Sequence, residues 1–527
     1  MTGEVDQLRA HYDAIPYLSA AFAQTHPDNL RAIAAVAGVD APDVTRCRVL
    51  EIGCATGRNL MPMAQTLPNS TFVGIDLSPR QIEAGNARVR ELGLTNIILR
   101  AQDLLDFSRD EGEFDYIIAH GFYSWVPPNV RDRLMQICAQ HLSPRGVANI
   151  SYNALPGWHL KRPVRDMMLF NSAGDATAPQ AQRIAKAREM TAFANQPSPG
   201  WRAYKEILAE EHKALAAHSD WYILHDYVEP ENFPVYFEQF MEHAAAHGLS
   251  YLGDAAPGVD AFDLVPPAAL EQARRFSEGD GIRLHQYLDY LQGRQYRASI
   301  ICRGDASRRP TPAKSLDLIS SLYIAGRLLE EPGGKDPASG KTLTHFTSLL
   351  KTPKLTFNDE RLTAVFRRIK SAWPHALSFA QVIQGIDTTS PGAGGEPFTE
   401  TLARALLTGY RSSIVEFWTR PTDFLPTRFD RPRATPLARL QAANDEPLVN
   451  LRHQHIPSNA ATKGMLPLCD GTRNRSALLR EMTRMIQRGG LKLPAHGGGF
   501  VTAQHDLGPV LDQMLGEFFA NSLFIAH

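Results

Sequence analysis

No apolar run in this 527-residue chain approaches the roughly 20 residues that a membrane-spanning helix needs, so no membrane insertion is expected. A secretory leader is not expected either, because Met1 to Arg9 is polar and acidic. Neither sign of charge dominates. Lys plus Arg number 55 and Asp plus Glu 56, which gives no global pull toward nucleic acid or an anionic membrane. Cysteine is scarce. Cys47, Cys54, Cys138, Cys302 and Cys469 are scattered, odd in number and without C-x-x-C spacing. That pattern argues against a disulfide framework and a zinc site, and for a reducing cytoplasm. Two phosphate-binding signatures are also missing. No G-x-x-x-x-G-K-[ST] occurs, and the dinucleotide fingerprint G-x-G-x-x-G fails at Ala55 and Arg58.

What the chain does carry is Val49-Leu-Glu-Ile-Gly-Cys-Ala-Thr-Gly57. An apolar run contains a carboxylate, Glu51, and gives way to a turn with Gly53, Ala55 and Gly57, then to a helix-compatible segment. A parallel strand delivers its C-terminal end to a ligand at a helix start in this way. A second run, Thr71 to Asp76, also ends in an acid, and a third leads to Asp103. Three strand ends that each offer a carboxylate suit a nucleoside whose ribose hydroxyls and exocyclic amine donate hydrogen bonds.

The pattern resembles the class I S-adenosylmethionine-dependent methyltransferases. The resemblance implies that Gly53 and Gly57 approach the methionine part of S-adenosyl-L-methionine, that Asp76 holds the ribose and that Asp103 reads adenine N6. It extends the expected cofactor lining to Tyr17, Glu51, Cys54, Ala55, Asn59, Leu77, Gln81, Gln102 and His120.

The rest of the first 303 residues fits an α/β reading. Helices are expected over Asn59–Leu67, Arg80–Leu92 and Val130–His141, the last stopped by Ser143-Pro144. Strands are expected over Asn96–Arg100, Phe114–Ala119 and Gly146–Tyr152. Residues 160–225 read as mostly helical. Phe233–His247 is a further amphipathic helix, capped by Gly248. Leu249–Leu252 and Gln295–Cys302 then read as strands six and seven of the same sheet. The fold expected is a Rossmann-like, seven-stranded class I methyltransferase domain over 1–303, with helical insertions at 155–230 and 255–294. A linker is expected at Arg308–Pro312. Smaller α+β, winged-helix-like units follow at 313–420, with a turn at Glu331–Gly340, and at 437–527. Both close as helix, tight turn and strand, the strands being Ser413–Phe417 and Asn521–Ala526. On this reading they supply no cofactor residue.

The segment after strand four offers His120, Tyr123 and Trp125, and the segment after strand five offers Tyr152, Trp158 and His159. His120, Tyr123, Trp125 and Tyr152 are the expected catalytic group. Methyl transfer from a sulfonium is an in-line displacement that needs a neutral nucleophile, a dry site and positioning. Aromatic faces can also hold an ammonium-derived group. Trp125 and Trp158 have an alternative as rim packing, and Tyr12, Tyr17, Thr25 and His26 as either a lid or a surface cover. His225 and His247 are read as structural histidines, with no metal expected.

Several blocks narrow the resemblance: Thr25-His26-Pro27, His120-Gly-Phe-Tyr-Ser-Trp-Val-Pro127, Ser151 to Trp158, His225-Asp-Tyr-Val-Glu229 and His247 to Leu252. They look like the bacterial methyltransferases with a methyltransferase regulatory domain, across roughly residues 10–303. Asp226 and Phe122 depart from that family's pattern. The family includes protein-lysine methyltransferases of outer-membrane proteins. The resemblance therefore implies a protein substrate and a homodimer, with no nucleic acid. A small-molecule methyltransferase and a cofactor-sensing binding protein are the competing readings.

Overall fold

A computed structural model describes residues 20–526, apart from 173–179, 305–316, 427–429, 494–499 and positions 219, 230, 261, 318, 338, 393–394 and 503–504. Tyr12, Tyr17 and the expected Arg308–Pro312 linker lie outside the described residues.

Seven strands form one sheet: β1 Arg48–Ile52, β2 Thr71–Asp76, β3 Ile97–Ala101, β4 Phe114–Ala119, β5 Leu142–Asn153, β6 Leu249–Asp254 and β7 Tyr296–Arg303. Their order is β3-β2-β1-β4-β5-β7-β6. The first five are parallel, and β7 runs antiparallel to both β5 and β6. The central strands β1 and β4 are mostly apolar and buried at all but one position each because helices cover both faces. The strand order reverses between β1 and β4. The crevice beyond their carboxyl ends is where open α/β sheets bind ligands.

Each helix near that crevice has a local reason to start or stop. In α1 (Pro27–Val36) His26 caps the N-terminus through Nδ1, and in α3 (Pro79–Leu92) Ser78 does so through its hydroxyl. Gly93 closes α3 in the left-handed region. The short α2 (Leu60–Thr66) follows the glycine turn, and α4 (Pro128–His141) packs behind β4 and β5. The chain passes from α4 straight into β5 at Leu142, four residues before the expected strand start. The expected helix at Phe233 begins only at Phe237, giving α5 (Phe237–Ala246). Phe233 and Val235 instead spend their N–H groups on Ser124 and Asn153 carbonyls.

Between β5 and β6, helices Trp158–Ser172, Gln180–Ala194 and Arg202–Ala217 close around their own small core of Val164, Met168, Ala187, Leu208 and Leu215. A buried ion pair anchors β7. Arg297 donates to Asp289 at 2.7 and 2.8 Å and lies over Phe237 at 4.0 Å.

The C-terminal half holds two three-stranded sheets and further helices. The segment Glu331–Lys335, expected to turn, belongs to the strand Leu329–Lys335. Among the described residues that strand pairs on one side, with a register shift beside Pro332, where an edge strand tolerates proline. The strands expected at Ser413–Phe417 and Asn521–Ala526 shrink to Glu416–Trp418 and to a single bridge at Phe524. Ser413 and Ser522 take φ of 55° and 54° to close the preceding helices. Ile414 then bonds back to Gly409, and Leu523 to Phe518, in the same six-residue closure. This half is not a loose appendage. One apolar cluster runs from Leu30, Val147 and Ile300 through Phe346, Phe366 and Leu402. Buried Asp28 of α1 accepts from Thr419 N–H at 2.8 Å and from Arg420 Nε at 3.1 Å. Among the described residues no helix is long and apolar enough to cross a membrane.

Candidate active site

The turn after β1 is built for close approach. Gly53 and Gly57 have φ of 73° and 71°, and Ala55 between them has 48°. A Cβ on Gly53 would sit 2.7 Å from the Phe122 ring, so only glycine leaves space there. Asp76, at the end of β2, fixes this turn. Its two carboxylate oxygens accept the N–H groups of Ala55 at 2.8 Å and Ser78 at 2.9 Å. Asp103, after β3, caps the next turn by accepting Leu105 N–H at 2.9 Å.

These strand ends open on a cavity of ≈ 280 Å³. One wall is Gly53, Ala55, Asp76, Leu77, Gln81, Gln102 and Asp103, and the other is His120, Phe122 and Trp125. Ile52, Ile75, Leu104, Leu105, Gly121, Val126, Pro127, Asn129 and Val130 complete it. The expected site residues thus divide. Leu77, Gln81 and Gln102 face the cavity, as do His120 and Trp125 of the expected catalytic group and Phe122, which departs from the family's pattern. Cys54, Gly57 and Asn59 lie beneath the turn. Cys54 is buried at 2 % exposure, and burial raises its thiol well above the usual range, so it stays a neutral packing residue.

Glu51 is the unusual member. It is buried, Asn59 Nδ2 donates to its Oε1 at 2.7 Å, and Oε2 has no partner among the described residues. Burial pushes its carboxyl up to about 8, nearby Asp76 adds to the rise, and the Asn59 bond opposes it. Gln81 likewise leaves its buried Oε1 without a partner at the cavity wall. Two orphaned buried acceptors beside a glycine cradle are what a donor-rich, positively charged nucleoside ligand would satisfy.

On the opposite wall His120 packs against Phe22 with ring centroids 3.9 Å apart and planes tilted by 37°, and its Nδ1 lies 3.3 Å from the Tyr296 hydroxyl. Burial lowers its pKa to about 4, which keeps the imidazole neutral. Trp125 meets Trp158 edge to face at 6.5 Å, so Trp158 packs behind the rim.

Two expected catalytic residues are not at the cavity. Tyr152 is buried, stacks on Phe240 at 4.2 Å and bonds Ser299 Oγ at 2.9 Å. Tyr123 is buried too, with its hydroxyl 2.9 Å from His243 Nδ1 and burial pushing its pKa up to about 12. Both belong to the core beneath the site. Thr25 and His26 are likewise buried rather than lid-like, Thr25 bonding Asn59 and His26 capping α1.

Sequence reasoning missed His453. It comes from the C-terminal half with φ of 60°, is buried, and places Nε2 2.8 Å from Asn59 Oδ1. Asn59 Oδ1 also accepts Phe22 N–H at 2.9 Å. One amide therefore ties the cavity floor to both the N-terminal segment and the C-terminal half. No local signal announces a contact across so much chain.

Comparison with known proteins agrees with this geometry. A model described as a methyltransferase domain matches residues 49–146. One described as a predicted methyltransferase regulatory domain matches 219–303, and one described as the PKMT C-terminal winged helix domain matches 430–523. The chain is 32 % identical over 526 residues to uncharacterized protein RP789 of Rickettsia prowazekii, covering 98 % of this chain and 93 % of that one. The chain belongs to this family of S-adenosylmethionine-dependent methyltransferases. A second R. prowazekii protein, RP028, is 37 % identical over 234 residues, which is 44 % of the methyltransferase and 93 % of the relative. The solved structure of PKMT2 from Rickettsia typhi in complex with AdoHcy superposes with a TM-score of 0.83 at 26 % identity, covering 97 % of the methyltransferase and all of that chain, 100 %.

Proposed function

We propose that this methyltransferase transfers the methyl group of S-adenosyl-L-methionine to lysine side chains of a protein acceptor. The observation that carries the reading is the likeness to PKMT2 over 97 % of the chain, joined to the PKMT winged-helix match. In this assignment Gly53 admits the methionine part on a turn that Gly57 shapes from beneath, Asp76 binds the ribose hydroxyls, Asp103 takes the adenine amine, and Glu51 faces the cofactor's positive charge. When bound, the cofactor supplies an electrophilic methyl on a sulfonium.

The chain's own residues supply the rest. A lysine ammonium has a pKa near ~10.4 and must lose its proton before attack. The His120, Phe122 and Trp125 wall carries no formal charge at neutral pH, so it desolvates the ammonium and lowers that pKa. Trp125 orients the amine by its ring face. With its pKa near 4, His120 is too weak a base to take the proton, so it acts as a positioning wall and the proton leaves to water.

Two finer assignments go with this reading. The acceptor is an outer-membrane protein met in the cytoplasm. The enzyme works as a homodimer joined through the helical insertion, where Phe170, Phe193 and Trp201 are 84 %, 67 % and 76 % exposed. Incubation with radiolabelled methyl donor and a cell-envelope fraction tests the acceptor. Label released as methyl-lysine on protein hydrolysis supports it, and label only in small molecules refutes it. Trp125→Ala should lower kcat far more than cofactor affinity. Light scattering of the full chain reads the dimer.

A further inference from the structure

His243 and His247 lie one helical turn apart, at the end of α5 and just beyond it, and so project from the same face. Asp132 of α4 stands opposite. His247 Nε2 is 2.9 Å and His243 Nε2 3.5 Å from the same oxygen, Asp132 Oδ1. One ligand atom from each of the three residues fits within a span of 4.8 Å. We propose that Asp132, His243 and His247 form a binding site for one divalent transition-metal ion of the zinc class.

The geometry is close to what such an ion needs. Zn–N and Zn–O bonds near ~2.0–2.1 Å in a tetrahedron put neighbouring ligand atoms about 3.3 Å apart. The two distances to Asp132 Oδ1 fall on either side of that value. The ion takes the place of the protons now shared between the imidazoles and the carboxylate, so side chains need only rotate slightly.

Each ligand is also held from behind. The Tyr123 hydroxyl engages His243 Nδ1 at 2.9 Å, which leaves Nε2 as the nitrogen facing the site. Gln136 Nε2 donates to Asp132 Oδ2 at 2.6 Å, which turns Oδ1 toward the imidazoles. Partners of this kind orient metal ligands in established sites. Arg131, beside Asp132 on α4, is the neighbouring cation. Arg131 itself is drawn aside over the Tyr123 and Phe233 rings, at 5.5 and 4.7 Å. The side chains are accessible, at 25 % for His243, 19 % for His247 and 47 % for Asp132, so an ion can enter and keep a water as its fourth ligand.

Nitrogen and oxygen ligands without sulfur suit zinc, cobalt or nickel over the softer cuprous ion. The site lies outside the cofactor cavity. It joins α4 to α5 and, through Tyr123, reaches the segment from His120 to Pro127 that walls that cavity. A bound ion would therefore brace the acceptor wall from outside. This inference does not depend on the lysine assignment, and its test needs no methyl transfer.

The experiment uses untagged, chelator-stripped full-length protein titrated with Co²⁺, followed by d–d absorbance, with Zn²⁺ then added in competition. One Co²⁺ per chain in a tetrahedral-type band, displaced by Zn²⁺, is expected. His243→Ala with His247→Ala should abolish the band. Asp132→Asn, which keeps the side-chain shape, should weaken binding at least tenfold. Tyr123→Phe should weaken it 10- to 100-fold by releasing the imidazole. Unchanged circular dichroism and S-adenosylhomocysteine affinity in Asp132→Asn show that the fold is intact. Absence of a saturable band in the parent protein, or an equal band in the double variant or in Asp132→Asn, overturns the proposal.

Discussion

Replacing Asn59 by alanine should uncouple the cofactor floor from the C-terminal half. The side chain is 1 % exposed and serves four groups. Its Nδ2 donates to Glu51 at 2.7 Å and to Thr25 Oγ1 at 3.0 Å. Its Oδ1 accepts Phe22 N–H at 2.9 Å and faces His453 Nε2 at 2.8 Å. Each buried polar group left unpaired costs about 1–3 kcal/mol, and water entering the vacated volume recovers part of that. A net loss of about 3–5 kcal/mol is expected, at the upper end for one substitution. Glu51 also loses the Asn59 bond that holds its pKa down, so its carboxyl should rise beyond about 8 and bind the cofactor more weakly. Because the chain is large, the assay is a double-mutant cycle with His453→Ala, read both by denaturant unfolding and by calorimetric S-adenosylhomocysteine affinity. A coupling of about 1–3 kcal/mol is expected. If each single variant costs under about 0.5 kcal/mol and the two add, the amide is not a junction and the reasoning fails.

Two further outcomes follow from the same floor. Asp76→Ala should weaken cofactor binding by about 2–4 kcal/mol, since it removes a half-buried acceptor and frees the Ala55 turn. Unchanged affinity by calorimetry would remove Asp76 from the site, and Asp103→Ala should cost less. Glu51→Gln should give a pH-dependent gain in ligand-free stability. The folded-state pKa of about 8 lies above the ordinary 4.5, so folding binds a proton and stability from this group is lost as pH rises from about 4.5 through 8. The melting-temperature advantage of Glu51→Gln should therefore grow across that window and level off above it. A constant difference from pH 5 to 9 would contradict the raised pKa.

How much of this was legible in the sequence depends on distance along the chain. Strand β4 matches its expected bounds at both ends because a doubly covered parallel strand is a nearly continuous apolar run, broken here only at Asp115. The acids at the ends of β1, β2 and β3 were readable for a similar reason: each sits within a few residues of the run that positions it. Tyr152 was misplaced by parity. Ala148, Ile150 and Tyr152 share one face of β5, and only the packing of α5 shows that this face is core rather than site. The late start of the strand expected at 413–417 reflects Ser413, whose left-handed conformation no composition rule would assign to serine. His453 and Asp28 join segments nearly four hundred residues apart. Periodicity carries no information about such contacts. His243 differs from these. Its four-residue spacing from His247 is plain in the sequence, while the carboxylate that gives it meaning lies on another helix.

The antiparallel seat of β7 against β5 bears on how the protein is made. On a ribosome the chain lays down β1 to β5 in order, and each can pair as it emerges. The partner of β5 emerges about 140 residues later, after the three insertion helices. At about 5–20 residues per second, the edge of β5 waits roughly 7–30 s without its neighbour. Exposed strand edges recruit other chains. During that interval the insertion, which folds around a core of its own, is the part of the chain that emerges between the edge and its partner. Shortening the insertion would thus bring β7 sooner, and a rise in expression yield would register the cost of the wait.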